Sequence, residues 1–161
     1  MSVKRAVAGT AIVASMVLVS SGALAQQPYG PNVSVDVAKK ATAAAVAEAR
    51  KNNWFMAIAV TDTAGQLVYF ERMDNTQTGS INIAIGKARS AAQFRRPTKV
   101  FQDLIAKGSE FTYLLGLEGA SVVQGGIPIV QDGKIVGAIG VSGATGAQDV
   151  QVAEAGLAGL K

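Results

Sequence analysis

The sequence predicts an α+β fold in which helices flank an antiparallel sheet of about five strands. At two places in the chain, a pair of β-rich runs is joined by a turn signal, which is typical of a β-hairpin. Stretches with apolar residues at helical spacing stand before, between and after the hairpins. Helices and hairpins in this order pack as helical layers against one sheet.

Residues 1–25 have the features of a secretory signal peptide. Two basic residues precede an apolar run, residues 6–19, and Ala23 and Ala25 occupy the two positions that a signal peptidase reads. The run is shorter than the roughly 20 residues that a membrane-spanning helix needs. We therefore expect cleavage after Ala25, no stable membrane anchor, and a periplasmic or secreted protein.

The mature chain has the size of one domain. Cleavage leaves 136 of the 161 residues, of which we expect 26–33 to form a flexible leader and 34–161 to form a single domain. Cleavage also removes Lys4 and Arg5, which lowers the formal net charge from +4 to +2. Because the charge is small and no basic stripe is interleaved with aromatic residues, we expect no nucleic-acid partner.

The first half of the domain is predicted to hold a helix and then a hairpin. The helix covers about 34–52, with Asp36 in its first turn and alanines at helical spacing. The hairpin pairs 55–61 with 66–72 across a turn that ends in Gly65.

The second half is predicted to begin with two helices, 80–95 and 97–107, followed by a loop at 108–119. The second hairpin pairs 127–131 with 134–142 across Asp132-Gly133, and a short strand at 122–126 precedes it. The last helix begins near Thr145, with Gln148 placed for a capping box.

Lys87 stands on an apolar flank of its predicted helix. The polar residues of this helix share the opposite face, and they are Asn82, Gly86, Arg89, Gln93 and Arg96. Lys87 instead lies between Ala91 and Phe94. Its ammonium group either extends along the stem to solvent or occupies a pocket with an anionic partner.

Arg72 and Asp74 stand at the end of a predicted strand and, two residues apart, share one face of it. There they either bind a ligand carboxylate or form an ion pair at the rim.

Glycines mark the second hairpin and the start of the last helix. Gly125, Gly126 and Gly140 would let the backbone approach a ligand or a neighbouring subunit closely. Gly143 precedes the last helix, where free N–H groups attract anions, and Asp149 in its first turn is either favoured by the helix dipole alone or contacts a ligand.

Several of these residues belong to stretches that resemble one family. The stretches are FERMD at 70–74, KARSAAQF at 87–94, PT at 97–98, GGIPI at 125–129, GKIVGAIGVSG at 133–143, and Asp149. In this order they cover nearly all of the mature chain, which resembles the GlcG/HbpS family, also called the haem-binding or DUF336 family and related to the PduO C-terminal domain. The resemblance implies a profilin-like α/β/α domain that assembles into tetramers or octamers, and for some members it implies haem binding.

Haem binding through histidine is excluded because the chain has no histidine and no cysteine. The substitutes for an axial iron ligand are Tyr69, Tyr113 and Met73, with Tyr29 and Met56 as further candidates. No other metal site is expected.

Three functions from different classes remain open. The first is an exported oligomeric protein that binds a small anionic ligand, such as haem or another tetrapyrrole, between Arg72, Asp74, Lys87 and the glycine turn. The second is an enzyme of low power or an accessory protein acting on a small hydroxy- or oxo-acid, with Lys87 or Asp74 as acid or base. The third is a sensory or structural partner. A catalytic Ser–Lys pair that uses Ser142 is also left open.

Overall fold

The computed structural model describes residues 27–161, and the predicted signal peptide lies outside them. The helices are α1 (Val35–Lys51), α2 (Ser80–Gln93), α3 (Lys99–Ile105) and α4 (Gly146–Ala158), with a 3-10 helix at Ser109–Gly116. The strands are β1 (Ala57–Thr61), β2 (Leu67–Arg72), β3 (Gly126–Gln131) and β4 (Lys134–Ser142). Among the described residues, no helix is both long enough and apolar enough to span a bilayer.

The four strands form one antiparallel sheet in the order β2-β1-β4-β3. The predicted α+β class is confirmed, but the sheet has four strands rather than about five. The short strand predicted at 122–126 is a loop up to β3, because its N–H groups bond elsewhere. The N–H of Gln124 donates to Gln102 Oε1 at 3.0 Å, and the N–H of Gly126 donates to Thr98 Oγ1 at 3.0 Å.

Helices cover both faces of the sheet. On one face Ala57 and Ala59 of β1 pack against Ala84 and Ala88 of α2. On the other, the alanine face of α1 and one side of α4 bury a larger apolar cluster that includes Ile58, Val60, Ile139 and Val152. The small alanine side chains let each helix lie close to the strands, as the α/β/α arrangement requires.

Local signals place two helix starts. Ser34 Oγ accepts the N–H of Val37 at 3.2 Å and caps α1, and the capping box predicted at Thr145 and Gln148 is present. The helix predicted at 97–107 is shorter and covers Lys99–Ile105, and the N–H of Thr98, free at the helix start, donates to the carbonyl of Gly126.

Residues 28–33, within the segment predicted as a flexible leader, are hydrogen-bonded to β4. The N–H of Ile135 donates to the carbonyl of Pro28 at 2.9 Å, and the N–H of Gly30 donates to the carbonyl of Ile135 at 2.8 Å. The N–H of Val33 donates to the carbonyl of Val136 at 2.7 Å. This segment therefore continues the sheet hydrogen bonding beyond the end of β1.

Candidate functional site

A buried ion pair joins α2 to α4. Lys87 Nζ lies 2.6 Å from Asp149 Oδ2, and it also donates to the carbonyl of Val141 at 3.0 Å. The two side chains are only 1% and 3% exposed. Of the alternatives for Lys87, the buried one is therefore correct, and the anionic partner belongs to the chain itself.

The other carboxylate oxygen of Asp149 faces the start of α4. Asp149 Oδ1 accepts the N–H of Ala144 at 3.2 Å. Free N–H groups at this position were expected to attract an anion, and the carboxylate of Asp149 supplies one from within the fold. The turn before α4, at Gly143 and Ala144, and the side chain of Asp149 thus form one hydrogen-bonded unit rather than two separate features.

The pKa of the Asp149 carboxyl is raised above its ordinary value by burial, which disfavours the charged form. The hydrogen bond and charge of Lys87 act in the opposite direction, as do the N–H groups of Ala144 and Gly143. Burial therefore outweighs four contributions that lower the pKa of this carboxyl, two from Lys87 and one each from Ala144 and Gly143. Such a balance occurs both in structural ion pairs and in functional sites.

Gly125 and Gly126 close the pair off from the β3 side. A side chain on Gly125 would begin 2.9 Å from Lys87 Nζ and 2.8 Å from the Val141 carbonyl oxygen, and its φ of +121° favours glycine. A side chain on Gly126 would collide with the carbonyl of Lys87. Thr98 Oγ1 accepts the N–H of Gly126 at 3.0 Å and holds this backbone in place.

The close approach predicted for the glycines serves packing within the chain. Gly140 lies directly under the backbone of Ala84 and Ala88 in α2, and Gly143 lies against the carbonyl of Phe55. On the side that a side chain would occupy, α2 and β1 fill the space beside Gly140 and Gly143, and a ligand or subunit contact of these glycines stays a prediction. Phe94 lies at the end of α2 with its ring edge-on to that of Phe101, 5.4 Å between centroids.

Arg72 and Asp74 lie apart from the ion pair. Both are exposed, and neither forms an ion pair within residues 27–161. Arg72 is the last residue of β2, so strand alternation does not extend to Asp74. Because Arg72 pairs with Ala57, and Ala57 with Ser142, it stands two strands from Ser142, roughly 10 Å away.

The structure thus brings together Lys87, Asp149, Gly125 and Gly126, while Arg72, Asp74 and Phe94 lie elsewhere. A ligand-binding role for these residues stays a prediction.

The sequence reasoning missed two features. One is the pair of hydroxyls that meet where β4 ends, Ser142 Oγ and Ser80 Oγ, 3.1 Å apart. The other is the exposed apolar segment at 113–123, whose signal was a run of Tyr and Leu inside a stretch predicted as a plain loop.

Comparison with known proteins decides the family. Residues 33–158 match the family model described as haem degrading protein HbpS-like. This chain belongs to the HbpS-like family. The predicted resemblance to GlcG and HbpS is therefore confirmed.

Individual HbpS-like relatives agree with this assignment. Protein GlcG from Escherichia coli strain K12 is 43% identical over 110 residues, which cover 68% of this chain and 81% of GlcG. The crystal structure of a double mutant of HbpS from Streptomyces reticuli has a TM-score of 0.74 at 31% identity, covering 94% of this chain and 97% of that one. The PduOC–haem complex has a TM-score of 0.73 at 24% identity and covers 80% and 94% of the two chains, which supports the shared fold.

The donor atoms of this HbpS-like chain limit how iron could be held. Histidine and cysteine are absent from the sequence, and residues 27–161 contain no cluster of three acidic side chains suited to a metal ion. Of the predicted candidates, Tyr69 and Met73 are half-buried and pack against the core, and Met56 is fully buried. Tyr113 is 66% exposed, and tyrosine is an axial iron ligand in some haem proteins.

Proposed function

We propose that this chain is an exported, oligomeric binding protein whose small anionic ligand is haem or another tetrapyrrole. The observation that carries the proposal is the match of residues 33–158 to a family described by haem degradation. The fold shared with a PduOC–haem complex supports it. Export rests on the features of residues 1–25, and assembly rests on the family resemblance.

The contacts of Lys87 and Asp74, the two residues predicted as acid or base, do not favour catalysis. Lys87 has two acceptors and a buried ammonium group, so it reaches no substrate without a local opening of the fold. Asp74 is exposed and has no ion-pair partner among residues 27–161. No contact of either residue favours the enzyme alternative, and we therefore propose the binding function alone.

Assembly is supported by exposed apolar side chains in several parts of the chain. Phe55, Leu67 and Ile83 are each 47–49% exposed. Exposed apolar residues scattered singly are ordinary on a monomer, so these three support assembly only where they adjoin one another.

The experiment is a titration of haemin into the mature chain, residues 26–161, followed by absorption in the Soret region. We expect the Soret band to shift and sharpen until it saturates near one haem per chain at micromolar protein. The same titration with zinc protoporphyrin, followed by fluorescence, separates recognition of the macrocycle from ligation of iron. A haemin spectrum equal to that of haemin in buffer, at all ratios, would refute the haem proposal.

Export is tested separately by expressing the full chain in a bacterial host and measuring the mass of the periplasmic product. Cleavage after Ala25 predicts a product that begins at Gln26. An uncleaved chain retained in the cytoplasm would contradict export without affecting the haem proposal.

A further inference from the structure

The two edge strands of the sheet differ in the backbone groups that they leave free. Strand β3 is closed on its outer side, because Thr98 uses both backbone groups of Gly126. The N–H of Thr98 donates to the carbonyl of Gly126 at 3.0 Å, and Thr98 Oγ1 accepts the N–H of Gly126 at 3.0 Å. Pro128 has no N–H group, and the register of β3 shifts between Ile129 and Val130. Strand β3 is therefore a poor template for a further strand.

Strand β2 is open on its outer side. The N–H of Met73 donates to the carbonyl of Met56 at 3.0 Å, so the backbone groups of Met73 point toward the β1 side. Successive residues of an antiparallel strand direct their N–H and C=O groups to opposite sides. Phe70 and Arg72 therefore direct theirs away from β1, where no strand lies among residues 27–161.

An apolar surface adjoins this open edge. Helix α2 packs mainly on β1, β3 and β4, so it leaves one face of β2 partly uncovered. Phe70 of β2 and Ile85 of α2 are each half-buried, and both pack against the same cluster of buried alanines. The two side chains therefore lie on one face of the sheet, beside the open edge. A strand added at β2 would remove part of their apolar area from water.

We infer that the β2 edge pairs antiparallel with the β2 edge of a second copy of this chain, which joins two four-stranded sheets into one of eight strands. The inference rests on the oligomeric state in the proposed function and adds the surface through which two subunits meet. Within residues 27–161 a second copy offers the same two edges, and its β3 is closed. Two identical edges that pair about a two-fold axis give a closed dimer rather than an open fibre.

Charge and strand regularity decide the register of this pairing. A two-fold axis through Glu71 or through Arg72 would place like charges directly opposite each other, which destabilises a sheet. An axis through Tyr69 would make both central hydrogen-bonded pairs depend on Val68, which has no partner in the register with β1 because a bulge lies there.

An axis through Phe70 avoids both problems. Glu71 then faces Tyr69 of the second copy, whose phenol is a hydrogen-bond donor. Arg72 faces an apolar residue, Val68, and no like charges stand opposite each other. The axis also brings the two Phe70 side chains together, and cross-strand aromatic pairs stabilise a sheet. We therefore place the axis at Phe70.

The test uses single cysteines, because the sequence contains none. Phe70→Cys places two thiols across the axis, where opposite Cα atoms are about 5.5 Å apart, a distance that a disulfide spans. We expect oxidation to link this variant into covalent dimers. Val130→Cys, on the other edge strand, is the matched control and should give none.

Arg72→Cys tests the register at an exposed residue, where packing is not disturbed. About the axis at Phe70 the two Arg72 Cα atoms are roughly 14 Å apart, so oxidation should leave them unlinked and a bis-maleimide of that span should link them. Phe70→Lys opposes two charges at the axis and should lower the mass of the native assembly at least twofold. Val130→Lys should leave that mass unchanged.

The inference is overturned if folded Phe70→Cys gives no covalent dimer, if the bis-maleimide does not link Arg72→Cys, or if Val130→Lys rather than Phe70→Lys breaks the assembly. Direct oxidation of Arg72→Cys into dimers would contradict the axis at Phe70. Urea unfolding shows whether each variant folds, and where the Phe70 variants do not, the Arg72→Cys crosslink decides. A monomeric wild type would refute the oligomeric part of the proposed function, and the inference with it. Absence of haemin binding in a crosslinked dimer would refute the haem proposal alone.

Discussion

Lys87 carries its positive charge inside the protein, and its position on the helix explains why. Residues opposite to it on α2 are polar, so the turn that brings Lys87 to the sheet also removes it from water. An isolated buried ammonium group would cost several kcal/mol, and Asp149 and the carbonyl of Val141 offset that cost. The pair therefore holds α2, β4 and α4 in one arrangement.

Removing one partner of the pair should destabilise the fold strongly. Lys87→Met leaves the Asp149 carboxylate buried without its cation, and we expect a loss of about 3–5 kcal/mol in the free energy of unfolding. Lys87→Met combined with Asp149→Leu should lose much less than the sum of the single changes. Urea unfolding of the four proteins measures this.

The control is Lys99→Met, which breaks the exposed pair with Asp103 and should cost less than about 1 kcal/mol. Equal effects of Lys87→Met and Lys99→Met would contradict a structural role for the buried pair.

The raised pKa of Asp149 predicts a specific pH dependence. Because burial raises this pKa in the folded state above the ordinary 3.8, the folded chain binds the proton more tightly than the unfolded chain. The stability from this group is full below about pH 3.8 and is lost as the pH rises through the folded-state pKa. Asp149→Asn should lack this component, so the stability of wild type relative to Asp149→Asn should fall as the pH rises above 3.8.

Unfolding curves at several pH values between 3 and 7 measure that difference. A wild type that instead gains stability relative to Asp149→Asn over this range would show that Lys87 outweighs burial at this carboxyl.

At this scale the sequence placed Lys87 on an apolar flank, left its burial open as one of two alternatives, and did not identify its partner. Burial follows from the 3.6-residue period of one helix, which is local. Asp149 lies 62 residues away, and which carboxylate meets the amine depends on how α4 packs, which is long-range. For Arg72 and Asp74 the prediction assumed that the strand continued to residue 74, whereas β2 ends at Arg72.

Helix α2 and strand β4 are held together by close contact of small residues. Gly140 in β4 lies against the backbone of Ala84 and Ala88, so α2 approaches the sheet more closely than larger residues would permit. The two hairpins, α1 and α4 were predictable because turn and cap residues mark their ends. The 3-10 helix at Ser109–Gly116 was not, since short 3-10 helices leave no sustained period in a sequence.

The contact between α2 and β4 predicts opposite effects for two glycine-to-alanine changes. Gly140→Ala places a methyl group against the α2 backbone, and we expect a loss of about 1–3 kcal/mol in unfolding free energy. Gly86→Ala, on α2 itself, has open space for the methyl group and should gain up to about 1 kcal/mol from helix propensity. Thermal unfolding compares them, and a neutral Gly140→Ala would mean that α2 lies further from the sheet.

On the scale of the whole molecule, β2 and β3 are the edges of the sheet. Pro128 lies in β3, and a residue without an N–H group is tolerated on an edge strand. Strand order and layer composition depend on contacts between distant parts of the chain, so composition and period alone did not yield them. The family resemblance supplied the expected α/β/α layers.

The measurement that tests the central claim most directly is native mass spectrometry of the mature protein after incubation with haemin. We predict an assembly larger than a monomer that carries haem on its subunits. A monomer of the mature chain that retains no haem at saturating haemin would contradict the claim that this protein is an oligomeric haem-binding protein.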